Sequence, residues 1–211
     1  SIFVGSQRAA ERVLSGISEW IEQKLKLRVN REKSGIRRPG NGQLLGFGFW
    51  HGQGGEIRAR VSEKSYERLK EKIRKMTSRS WSISMDERIE RLMQITRGWI
   101  NYFGHADAKG ILKRLDKWTQ ARLRMCIWKQ WKRIKTRIAS LCKLGIKYDQ
   151  AYQWGNTRKG YWRTAHSPIL QSSITTERLK QKGYIPLLEL YTRRRQTLMN
   201  RRDTRPVRPV V

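Results

Sequence analysis

Between residues 85 and 103 the chain reads MDERIERLMQITRGWINYF, and its apolar side chains recur at helical spacing. Met85, Ile89, Leu92, Met93, Thr96, Trp99, Ile100 and Phe103 fall on one stripe at i, i+3 and i+4. That stripe predicts a helix packed by one face, starting at Ser84 or Asp86, with Trp99 and Phe103 in the core. Tyr102 lies on another face, shared with Arg88, Arg91, Ile95 and Gly98. Two readings stay open for it: plain surface, or a ring that stacks on a ligand.

A long helix or helix pair follows from about 107 to 143, ended by Gly145. Leu112, Leu115, Thr119, Leu123, Cys126, Ile127, Ile134, Ile138 and Leu141 make its core stripe. At 100° per residue Trp118 and Met125 point away from that stripe, and Trp128 sits to one side among Arg124, Lys129 and Lys132. Residues 109–143 hold 12 Lys or Arg and one acid, Asp116, a net of 12 − 1 = +11. A solvated helix face ordinarily mixes acids with bases, so this one is expected to meet a polyanion.

The whole chain of 211 residues repeats the imbalance, with 47 Lys and Arg against 17 acids, 47 − 17 = +30. Self-repulsion of that size opposes a compact state unless a polyanion neutralises it, and no enzyme of small metabolites needs it. Nine Trp accompany the charge. Rings stack on bases, which favours nucleic acid over anionic lipid.

Ahead of the helices the pattern is mixed. SIFV reads as the end of a strand, Ser6 as the N-cap of a helix over 7–26, and LKLRV (25–29) as a strand. A turn-rich loop follows, then strands at LLGFGFW (44–50) and EIRARV (56–61). Gly46 and Gly48 give the first of these one bare face, which lets another backbone approach. Ser62 caps a helix to about 77. Further on, GNTRKGYWRTAHSP (155–168) interleaves cations and rings in a Gly-bounded loop or short hairpin. Either its Trp anchors a turn, or its rings stack on unpaired bases; both fit. RRRQTLMNRRDTRPVRPVV is expected to be a partly disordered arm.

Several chemistries lack their residues. The five Asp (86, 107, 116, 149 and 203) include no pair of the kind that holds two Mg²⁺ ions, and Asp86 beside Glu87 suits a helix start. Phosphate-loop, nucleophile-elbow and His-Glu-x-x-His motifs are missing. Cys126 and Cys142 form no Cys-x-x-Cys pair, and the three His show no ligand spacing. Catalytic and metal-binding residues are therefore expected to be none. Without a signal peptide or an apolar run of membrane-spanning length, a cytoplasmic, bacterial-type protein is expected.

Four segments in order, NREKSGIRRPGNGQLLGFGF (30–49), RLMQITRGWINYF (91–103), LDKWTQARLRMCIWKQWK (115–132) and NTRKGYWRTAHSPILQ (156–171), resemble the C-terminal part of group II intron reverse transcriptase/maturases. In that family the palm carries a Tyr-Ala-Asp-Asp box, and SIFVGSQRAAERV resembles the segment just after it. The resemblance implies an α+β fold: a partial palm-like β-α-β-β sheet (1–61), a helical thumb/maturase domain (62–144) and a basic nucleic-acid-binding region (145–211). It implies structured intron RNA and RNA/DNA template–primer as partners, roles in splicing and RNA-directed DNA synthesis, and Mg²⁺ in the full-length family but none in this chain. It places Lys33 near the incoming nucleotide and Leu45, Gly46 and Phe47 in a primer-grip strand. Candidate nucleic-acid ligands are Arg37, Arg38, Arg91, Arg97, Tyr102, Arg122, Arg124, Trp128, Lys129, Lys132, Arg158, Lys159, Tyr161, Trp162 and Arg163. The palm remnant is expected to expose apolar sheet surface, covered by a homodimer partner or by a missing N-terminal catalytic part. Alternatives are a stand-alone RNA-binding splicing factor and one subunit of a split reverse transcriptase.

Overall fold

The computed structural model describes residues 2–52 and 54–203, without the side chains of Pro39 and residues 201–203. The chain divides into two compact units, Ser1–Ser62 and Glu63–Val211.

In the first unit, helix α1 spans Gln7–Lys24, opened by Ser6, whose Oγ accepts the Ala9 N–H at 3.2 Å. Its end corrects one expectation. Leu25 N–H still bonds Ile21 O, and Lys26 then turns into the left-handed region with φ 53°. LKLRV therefore forms no strand, and neither does SIFV. The sheet is a three-stranded antiparallel meander, β1 (Gln43–Leu44), β2 (Phe47–His51) and β3 (Ile57–Val61), not a β-α-β-β arrangement. LLGFGFW is not one strand. Leu44 pairs with Phe47 across a two-residue turn in which Leu45 (φ 51°) and Gly46 (φ 85°) both take positive φ, as a type I′ hairpin requires. The bare position at Gly48 faces Arg60, whose side chain would lie 3.3 Å from an added Cβ. Helix α1 buries none of its residues, and Leu14, Ile17, Trp20, Phe3 and Ile36 stay exposed.

The second unit is helical: α2 (Glu63–Met76), α3 (Met85–Phe103), α4 (Lys109–Gln130), α5 (Ile134–Lys143), α6 (Tyr148–Gly155), α7 (Tyr161–Ala165), α8 (Pro168–Ser173), α9 (Thr176–Gln181) and α10 (Leu187–Asp203). Ser84 Oγ caps α3 by accepting the Glu87 N–H at 3.1 Å. The expected α3 stripe packs inward: Leu92, Ile89, Ile100 and Phe103 are buried, with Trp99 half-buried 4.6 Å from Phe103. With Leu69, Ile73, Leu112, Leu115 and Leu123 they form the core, each such side chain contributing about 1.5–3 kcal/mol on burial. Helix α4 is the centre of the unit. Helices α2, α7 and α10 all pack on it. Residues 123–128 are consequently buried without a break, Met125 among them, although its spacing pointed outward. The chain breaks at 131–133, which resets the helical phase and leaves Ile134 exposed.

The second unit has no division at 145. Helix α10 returns to the body: Tyr191 Oη donates to Ala106 O at 2.8 Å and accepts the Ala108 N–H at 3.4 Å, closing the α3–α4 turn. Residues 193–203 are thus helical where a disordered arm was expected; residues 204–211 lie outside the described ones. The 155–168 stretch holds helix α7 instead of a hairpin. Thr164 Oγ1 donates to Lys159 O and Gly160 O at 3.2 and 3.1 Å, fixing a helical turn.

Candidate nucleic-acid interface

The sequence offers many cations, and packing sorts them. Arg88 is 2% exposed; its guanidinium donates to Met76 O, Ser78 O and Trp81 O at 2.6, 2.9 and 2.7 Å. Arg122 reaches the same helix end, bonding Thr77 Oγ1, Arg74 O and Thr77 O, with its guanidinium 5.0 Å over Trp118. Arg124 is 9% exposed and donates to Ile174 O at 2.9 Å. Burial lowers the pKa of both Arg122 and Arg124. Trp128 is 1% exposed, with Arg137 over one face at 4.8 Å. Three candidate ligands are therefore corrected: Arg124 and Trp128 face the interior because α4 is covered on several sides, and Arg122 holds the end of α2.

The acid in this basic helix is equally occupied. Asp116 accepts Tyr184 Oη–H (2.9 Å), Leu187 N–H (2.7 Å) and Leu188 N–H (2.9 Å), so it caps α10 from α4. Burial nevertheless raises its pKa, outweighing these hydrogen bonds. No step is derived through the Mg²⁺ implied for the full-length family: among the described residues no three His, Cys, Asp or Glu side chains gather to hold a metal ion.

What remains outside forms a surface. Lys129 Nζ lies 5.0 Å and Arg79 Cζ 5.2 Å from the Tyr161 ring, so the α2–α3 loop, the end of α4 and α7 converge on one tyrosine. Lys159 sits 5.2 Å over Trp154, and Trp162 meets His166 edge-on at 4.5 Å. Arg158, Arg163 and Lys132 are exposed near them in sequence. On the neighbouring loop Trp81 carries Arg91 at 5.3 Å, and Arg91 also pairs with Glu87. From 117 to 176 the sequence holds 13 Lys or Arg and one acid, Asp149, a net of 13 − 1 = +12. Such a surface attracts phosphates and holds rings among them.

The other candidates lie apart from this group. Arg97 and Tyr102 are exposed on α3, Tyr102 edge-on to Phe103. In the first unit Lys33 and Arg37 border a groove with Phe3, Leu14, Ile17 and Phe49. Arg38 is exposed, Leu45 and Gly46 form the hairpin turn, and Phe47 is half-buried in β2. Sequence reasoning missed Arg79 and Trp81. Their signal was the short stretch SRSW (78–81), a cation beside a ring in a loop, whose partner at 161 is visible only in three dimensions.

Among the described residues no helix is long and apolar enough to cross a membrane. No curated protein matches the chain. Residues 66–145 match the family model of the group II intron, maturase-specific domain. The matched span opens in α2 and closes at Gly145, just after α5, taking in Arg79, Trp81, Lys129 and Lys132. The chain thus carries the maturase-specific domain of group II introns, and with it a maturase role in intron splicing.

Proposed function

We propose that the chain is the C-terminal portion of a group II intron-encoded reverse transcriptase/maturase that grips structured intron RNA, and template–primer, through the basic and aromatic surface of its second unit. The observation that carries this is the convergence of Arg79 and Lys129 on Tyr161 within a segment nearly free of acids, beside an exposed Trp. Grip is electrostatic, with stacking added where bases are unpaired. Arg79→Ala with Lys129→Ala is expected to weaken binding to a group II intron RNA and to lower the slope of log affinity against log salt by about 1.5 to 2, for two phosphates released. Filter binding across a salt series checks it; an unchanged slope refutes it.

A second reading, one subunit of a split reverse transcriptase, is favoured by the uncovered apolar side chains of the first unit, Phe3, Leu14, Ile17 and Trp20. It predicts cDNA synthesis only when a chain carrying the Tyr-Ala-Asp-Asp box is added.

A further inference from the structure

The second unit contains seven Trp, at 81, 99, 118, 128, 131, 154 and 162, and among its described residues Trp162 is the one left exposed, at 40%. The fold does not leave it loose. Helix α7 is pinned by Thr164 and Ala165, both fully buried, and His166 braces the indole edge-on at 4.5 Å. A held, water-facing indole is a platform rather than an unpacked core residue. One step back along α7, Tyr161 gathers Arg79 and Lys129 within about 5 Å of its ring. Arg163 follows directly and is exposed. Ring and cations therefore sit on consecutive residues of one short helix.

Duplex RNA cannot use the ring. Bases in an A-form helix are already stacked on each other, so only an unpaired base offers a free face. Cations alone would read duplex and single strand alike. Resting on the RNA-binding reading above, we propose that α7 is a reader of unpaired RNA. Trp162 stacks on an unpaired base of a loop or bulge, while Arg79 and Lys129, collected on Tyr161, hold the adjacent phosphates. Tyr161 is a positioning residue, and Trp162 makes the discriminating contact.

The test compares a hairpin RNA with an unpaired loop against a fully paired stem of the same length, using the whole chain and, for each variant, a circular dichroism check of the fold. Trp162→Ala is expected to lower affinity for the looped RNA by about 5- to 100-fold, the range for loss of one stacked base. It should leave affinity for the paired stem and both salt slopes unchanged, and Trp162→Phe should recover part of the loss. Arg79→Ala with Lys129→Ala should weaken both RNAs and flatten both slopes. Equal weakening of both RNAs by Trp162→Ala, or none, overturns the inference while RNA binding stands. Failure of the unaltered chain to bind either RNA overturns the RNA-binding reading itself.

Discussion

Removing the Asp116 carboxylate should release α10 from the second unit. Its oxygens accept three hydrogen bonds, from the Tyr184 hydroxyl and from the N–H groups of Leu187 and Leu188. Tyr184 and Leu187 are fully buried, so water cannot replace the lost acceptor. Stranding those two donors costs about 1–3 kcal/mol each, and losing the cap at Leu188 about 1 kcal/mol. Against that total of roughly 3–7 kcal/mol stands the relief of no longer burying a carboxylate, whose raised pKa records that cost. A net loss of about 3 kcal/mol for Asp116→Ala corresponds to a fall in Tm of about 6–12 °C in a unit of this size. Asp116→Asn keeps one acceptor oxygen but turns an amide N–H₂ toward a backbone donor, so it should fall between the two. Thermal melts give the order, and hydrogen exchange gives the place. Amides of Leu187 to Tyr191 should exchange faster in the Ala variant, whereas those of α2 should not. The pH dependence has a defined sign. With its folded pKa raised, the folded chain holds a proton at Asp116 more readily than the unfolded chain. Stability from this group is therefore greatest at low pH, declines as pH rises from the ordinary carboxylate range through the raised folded value, and is flat above it. A Tm for Asp116→Ala within 2 °C of the parent, or exchange accelerated evenly over the unit, would refute the reasoning (about one tenth of the fall is measurement scatter).

Two further outcomes test the local arguments. Arg88→Ala should cost at least about 3 kcal/mol in urea unfolding, since three carbonyls at the end of α2 lose a buried charged donor, and Arg88→Lys should not rescue it because one ammonium cannot span Met76 O, Ser78 O and Trp81 O. Leu45→Asn should stabilise the hairpin of the first unit by about 1 kcal/mol, because asparagine tolerates the left-handed region that leucine enters at φ 51°; a lower melting temperature would argue against the type I′ turn.

The parts of the fold legible in sequence were those set by neighbours within one or two helical turns. The α3 stripe and its Ser84 cap are local, and both are present. The hairpin turn hid because its first residue is Leu45, and leucine signals a strand interior, not a left-handed turn. Helix α4 misled for a different reason. Amphipathic spacing identifies an inner and an outer face, but α4 has partners on several sides, so Arg124, Met125 and Trp128 are covered by elements that the chain reaches only later. The Tyr161 cluster escaped likewise, since it joins residues 79, 129 and 161.

The two cation types divide the work in the second unit. Arg122 bonds carbonyls of the last turn of α2, Arg137 bonds Gly155 O at the end of α6, Arg124 bonds Ile174 O just past α8, and Arg178 bonds Leu144 O just past α5 and Ser173 O at the end of α8. These are the carbonyls that a helix end leaves without partners, at the negative pole of its dipole. A guanidinium answers them well, because it keeps its charge when buried and offers several donors in one plane. Lys129, Lys132, Lys135, Lys143, Lys147 and Lys159 are exposed or half-buried instead, where a hydrated ammonium suits a moving phosphate. A chain at +30 therefore packs without needing every cation matched by an acid. Part of its charge is absorbed by backbone carbonyls inside, and the rest is left outside for a polyanion. It follows that total charge overstates the binding surface, and that exchanging Arg for Lys is mild at its rim and damaging at its helix ends.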